Sequence, residues 1–155
     1  MTPNQKAFLD MIAHSEIGAP LLAVSNNGYD VIVGSTASHP DLFTSYADHP
    51  NKLIQLNTTL ASTAAGRYQL LYRYYAIYKR QLGLADFSPD SQDRIALQQI
   101  KERGALYDLA SNNFESAVGK CSNIWASLPG ATYGQHTNKM DDLKMAYVNA
   151  GGTIA

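Results

Sequence analysis

Glu16 closes a helical pattern whose other marked positions are apolar. Thr2 is placed to cap the helix and Pro3 fits its first position. Phe8, Met11 and Ile12 then recur at helical spacing, and Glu16 falls one turn after Ile12 and two turns after Phe8. The carboxyl is therefore aimed at the apolar side, near the negative end of the helix dipole. Both effects disfavour the charged form and raise the pKa, which is what a general acid needs at neutral pH. The same position also fits a solvated glutamate in a last helical turn. Ser15 either positions Glu16 or ends the helix through its hydroxyl.

A protonated carboxyl beside a leaving oxygen is the requirement for breaking a glycosidic bond, often with a second carboxylate. Asp30 is the best second candidate, because it opens an extended run just after the Asn27-Gly28 turn. It fits equally well as a turn aspartate that caps a backbone group. Without a second carboxylate another path stays open. A substrate's own N-acetyl oxygen attacks the anomeric carbon, and Glu16 then serves as base for an internal hydroxyl. Other chemistries have no local support. His14, His39, His49 and His136 show no paired metal-ligand spacing, and no metal or other cofactor is expected. No Gly-x-Ser-x-Gly turn appears, and neither a phosphate loop nor a dinucleotide fingerprint is present. Cys121 is the only cysteine, so an internal disulfide and a cysteine zinc site are both excluded. Its apolar surroundings point it inward, as a small core residue.

The elements that must position these residues have two grammars. From Gly18 to Ser62 the chain is rich in Ser, Asn, Thr, Pro and Gly. Tyr29 to Val33 reads as a strand ended by Gly34, with weaker strands over Leu42 to Tyr46 and Leu53 to Leu56. A small antiparallel sheet with long loops is expected there. The rest is helical. One helix is expected from Arg67 to Leu82, with Tyr68, Leu71, Tyr75, Tyr78 and Leu82 as its apolar stripe and Gly83 as cap. Ser88-Pro89 opens the next, with Ala96, Leu97 and Ile100 facing inward and Gly104 after its end. Shorter helical pieces cover Leu106 to Ala110 and Phe114 to Trp125. The last helix runs from Lys139 to Asn149, with Asn138 as candidate cap and Gly151 as stop. The pattern is an α+β fold, a mainly helical body with a small sheet lobe inserted at about 18–62, in one domain over 1–155.

At 155 residues, with 45% apolar content and a net charge of −1, the chain can bury a substantial core. No basic stretch stands out, so nucleic acid is not an expected partner. No run of eighteen apolar residues exists, so no membrane insertion is expected. The N-terminus lacks the grammar of a signal peptide, and a cytoplasmic start is expected.

The run Gly66-Arg67-Tyr68-Gln69 resembles the glycine-to-glutamine motif of lytic transglycosylases, and Ser15-Glu16 resembles their Ser-Glu pair at a helix end. The chain as a whole resembles phage endolysins of the lambda type. The likeness runs through Lys6-Ala7-Phe8-Leu9-Asp10-Met11, Gly28-Tyr29-Asp30-Val31-Ile32-Val33-Gly34 and Leu97 to Ala105. It continues through Cys121-Ser122-Asn123-Ile124-Trp125-Ala126-Ser127-Leu128-Pro129-Gly130-Ala131 into Tyr133-Gly134-Gln135. The resemblance implies a lysozyme-like fold with a cleft between helical and sheet lobes. It implies cutting of the peptidoglycan glycan strand between N-acetylmuramic acid and N-acetylglucosamine without added water, leaving 1,6-anhydro ends, with Glu16 as the single acid and base. It also implies accumulation in the host bacterial cytoplasm and action in the periplasm once a holin opens the inner membrane. A monomer is expected. Within that frame Gln69 is expected to bind an N-acetyl group, and Tyr68 either packs in the core or touches sugar. Tyr133 and Gln135 lie in a glycine-flanked loop, where an aromatic ring can stack on a sugar face. Three stretches depart from the family pattern: an unusually apolar 17–26, a long 35–41 loop, and 113–120.

Overall fold

The computed structural model describes residues 1–130 and 138–155. The described residues form two compact units, one of Met1–Glu16 with Ala96–Ala155 and one of Ile17–Ile95.

The first unit opens with α1, Pro3–Glu16. Its start is a reciprocal cap. The Gln5 amide N–H donates to Thr2 Oγ1 at 3.1 Å, and the Thr2 N–H donates to Gln5 Oε1 at 3.1 Å. Ala7, Phe8, Leu9, Met11, Ile12 and Ala13 are all buried, as the apolar stripe requires. α1 packs on α5 (Ala105–Ala110) and α7 (Met140–Asn149), and α5 packs on α6 (Phe114–Cys121). Phe8, Phe114 and Tyr147 meet at the centre, with the Phe114 and Tyr147 rings 4.5 Å apart. Trp125 and Cys121 are buried in the same unit. Burial pushes the Cys121 thiol up to about 12, so it is an inert core residue.

The second unit holds α2 (Ala19–Val24), the antiparallel pair β1 (Ile54–Gln55) and β2 (Ala61–Ser62), and α3 (Tyr72–Leu82). Its core gathers Ile32, Ala65, Leu70, Tyr75, Leu84, Phe87 and Ile95. His49 is buried against the Tyr72, Tyr75 and Phe87 rings. Its Nδ1 accepts the Asn51 N–H at 2.9 Å, so the proton of the neutral ring is on Nε2, which donates to the Leu70 carbonyl at 2.8 Å. Burial holds the His49 pKa below its ordinary value. α4 (Pro89–Glu102) contributes Pro89–Ile95 to this unit and the remainder to the first. Ser88 caps it, its Oγ accepting the Ser91 N–H at 3.2 Å.

The α+β class is as the pattern indicated, but several element boundaries move. The run from Tyr29 to Val33 is not a named strand. A turn ends at Asp30 and Gly34 adopts φ +82°, leaving only Val31 and Ile32 to pair, with Leu42 and Ala65 respectively. The 42–46 candidate is reduced to that one bridge, whereas the 53–56 candidate does hold β1. The helix expected from Arg67 begins only at Tyr72, because Gly66 and Gln69 both have positive φ and a bridge between Ala65 and Leu70 closes a tight turn over them. α6 stops at Cys121, where the Ser122 hydroxyl bonds back to the Gly119 carbonyl at 2.9 Å. α2 lies in the apolar departure at 17–26 and was not expected; Pro20 sits in its first turn. Asn138 does not cap α7, because its side chain is used elsewhere.

Candidate active site

Glu16 is the last residue of α1 and is part-buried. Its Oε2 accepts a short hydrogen bond of 2.5 Å from the Ser127 hydroxyl. Burial raises the Glu16 pKa and the Ser127 bond lowers it, and burial wins, leaving it at about 7. At neutral pH the group is thus poised between donor and acceptor. Ser15 does not touch the carboxyl directly: its Oγ lies 2.8 Å from Ser127 Oγ. Asn138 completes the cluster, its Nδ2 donating to Ser15 Oγ at 2.9 Å and to the Ser15 carbonyl at 3.2 Å. The Asn138 N–H donates to the Ser127 carbonyl at 2.8 Å. Ser127 and Asn138 were missed as functional candidates in the sequence. They are 111 and 122 residues from Glu16 along the chain, and no local periodicity links them to it.

Asp30, Tyr68 and Gln69 lie in the second unit. Asp30 Oδ1 accepts the Asn26 N–H at 2.9 Å, so it caps a turn, and its carbonyl accepts from Phe43. Tyr68 is 5% exposed, and its hydroxyl donates to Asp93 Oδ1 at 2.6 Å while receiving Arg67 at 3.0 Å. Tyr29 also donates to Asp93, at 2.9 Å, and burial raises the pKa of Asp93 and of both tyrosines, Tyr29 to about 12. Of the two expectations for Tyr68, the core one describes its burial. Gln69 sits at φ +52° in the turn, with Nε2 donating to the Gly66 carbonyl at 2.9 Å. That conformation takes Gln69 out of the helix expected from Arg67. Tyr133 and Gln135 lie outside the described residues. Among the described residues, no three His, Cys, Asp or Glu side chains gather as a metal site would need, and no helix is long and apolar enough to cross a membrane.

A family model described as Endolysin matches residues 6–154. The chain belongs to the endolysin family. It is 56% identical over 152 residues to the endolysin of Escherichia phage lambda, spanning 97% of this chain and 93% of that one. It is 48% identical over 158 residues to the endolysin of Escherichia phage P2, spanning 98% and 95%. Among solved structures it is similar to bacteriophage lambda lysozyme complexed with a chitohexasaccharide, with a TM-score of 0.93 at 54% identity over 100% of this chain and 98% of that one. Another structure of lysozyme from bacteriophage lambda gives a TM-score of 0.88 at 54% identity and the same coverage. This is a phage endolysin of the lambda type with a lysozyme-like fold.

Proposed function

We propose that this endolysin is a lytic transglycosylase that cleaves the N-acetylmuramic acid to N-acetylglucosamine bond of peptidoglycan with Glu16 as its one acid and base. The observation that carries the reading is a half-buried carboxyl at about 7, which can give a proton and take one back near neutral pH. The chitohexasaccharide in the complex of a relative supports a glycan substrate. In the first step the neutral carboxyl protonates the glycosidic oxygen, the bond from C1 to that oxygen breaks, and the glucosamine side leaves with a hydroxyl. The muramoyl N-acetyl oxygen bonds to C1 as that bond breaks, giving a cyclic cation that pairs with the Glu16 carboxylate. In the second step the Glu16 carboxylate takes the proton of the muramoyl 6-hydroxyl, whose oxygen bonds to C1 and displaces the N-acetyl oxygen. Glu16 ends protonated, as it began, and no water enters.

Asp30 favours this over a hydrolytic muramidase, because its Oδ1 is engaged by the Asn26 turn. Gln69 retains a side-chain carbonyl with no donor among the described residues, which suits an N-acetyl N–H, and Tyr133 with Gln135 supply further sugar contacts. The enzyme works as a single-domain monomer, made in the host cytoplasm and admitted to the periplasm by a holin.

Mass spectrometry of digested sacculi tests the proposal. The expected products carry anhydro ends, each one water lighter than a reducing end. Glu16→Gln is expected to abolish clearing of permeabilised cells. Asp30→Asn keeps an acceptor for the Asn26 N–H and is expected to retain most activity. Reducing ends abolished by Asp30→Asn would show a hydrolase, and no cleavage by the wild type would show a glycan-binding protein.

A further inference from the structure

We propose that Ser127, aligned by Ser15 and Asn138, is a positioning residue that holds Oε2 of Glu16 and leaves Oε1 as the oxygen that exchanges protons with substrate. This rests on Glu16 being the acid and base, as proposed above. The direction of the chain of hydrogen bonds follows from donor counting. Asn138 Nδ2 lies 3.2 Å from the Ser15 carbonyl, which can only accept, so that atom is the amide nitrogen and a donor. It therefore also donates to Ser15 Oγ, at 2.9 Å. Ser127 Oγ donates to Glu16 Oε2 at 2.5 Å, which uses its one hydroxyl proton, so Ser15 Oγ is the donor across the 2.8 Å contact to Ser127 Oγ. Ser127 is 7% exposed, and its carbonyl is pinned by the Asn138 N–H at 2.8 Å, so the hydroxyl has little freedom to turn away.

The consequence for catalysis is asymmetric. With Oε2 already accepting, the proton of the neutral acid sits on Oε1. When that proton leaves, the Ser127 bond becomes charge-assisted and strengthens. A contact that tightens as charge develops lowers the barrier rather than merely binding the ground state. The same oxygen then recovers a proton in the second step.

The test is the pH dependence of kcat and KM on soluble glycan oligomers for wild type, Ser127→Ala, Ser127→Thr and Ser15→Ala, with Glu16→Gln as control. Removing the Ser127 donor takes away a hydrogen bond that lowers the acid's pKa. The alkaline limb of Ser127→Ala is expected to move up by about one pH unit, with kcat falling about tenfold and KM little changed. Ser127→Thr is expected to restore limb and rate, and Ser15→Ala to move the limb upward by a smaller amount. A purely structural role would lower the rate without raising the limb. An unchanged limb in Ser127→Ala, or equal loss in the alanine and threonine variants, overturns the proposal. If Ser127→Ala does not fold, Ser15→Ala decides by the same criterion. Full activity in Glu16→Gln would instead remove the underlying reading, whatever the serine variants do.

Discussion

A carboxyl at about 7 in the folded chain against an ordinary value of 4.5 has a consequence for folding as well as for catalysis. Below pH 4.5 Glu16 is neutral in both states and neither helps nor hurts. Between 4.5 and 7 the unfolded chain loses its proton while the folded chain keeps it, so stability falls as pH rises through that window. Above 7 the folded state carries a poorly hydrated charge that disfavours folding by something on the order of 1–3 kcal/mol. Glutamine keeps an acceptor for the Ser127 hydroxyl and has no charge to hide. Glu16→Gln is therefore expected to match the wild type in Tm at pH 4 and to exceed it at pH 8, while losing activity. Thermal melts across that range check it; equal melting at both pH values would mean the carboxyl is well hydrated. The apolar spacing of Phe8, Met11 and Ile12 made the partial burial of this residue legible in advance. Its partners were not legible, because the contacts of Ser127 with Glu16 and of Asn138 with Ser15 exist only once residues far apart in the chain are folded together.

At the scale of elements, the informative piece is the turn from Gly66 to Gln69. Its sequence looked like the opening of the α3 helix, because Tyr68 and Leu71 fall in step with Tyr75 and Tyr78. Local periodicity lost to a tertiary clasp. The Gln92 side chain accepts the Arg67 N–H at 2.9 Å and donates to the Tyr29 and Phe87 carbonyls at 3.0 Å each, acting as a substitute for backbone. Gly66 has φ +85°, and a Cβ there would run into the Gln92 amide and stand 3.0 Å from Phe87 Cζ. Both the conformation and the space exclude a side chain. Gly66→Ala is expected to destabilise by roughly 2–4 kcal/mol, about 4–16 °C in Tm for a domain of this size, in a melt followed by circular dichroism. A loss under about 0.5 kcal/mol would show that the turn relaxes freely. The same contrast explains the other boundaries. Helices with long apolar stripes were readable from their period, whereas α2 and the paired residues Val31 and Ile32 depend on neighbours distant in sequence.

For the whole molecule, the pattern of one sheet-bearing segment within a helical chain was readable from composition alone, since turn-rich and periodic stretches alternate so plainly. The chemistry was readable only in part. A single aimed carboxyl suggested acid catalysis, yet whether a second carboxylate takes part depended on what Asp30 does once folded, and it clasps the turn at Asn26. The reaction of this enzyme on peptidoglycan therefore tests the central proposal, that one glutamic acid cuts glycan by internal transfer. Digestion of purified sacculi in water labelled with heavy oxygen tests it most directly. The account expects anhydro-muramoyl ends with no heavy oxygen incorporated at any new terminus. One labelled oxygen per cut, on a reducing muramoyl end, would contradict it.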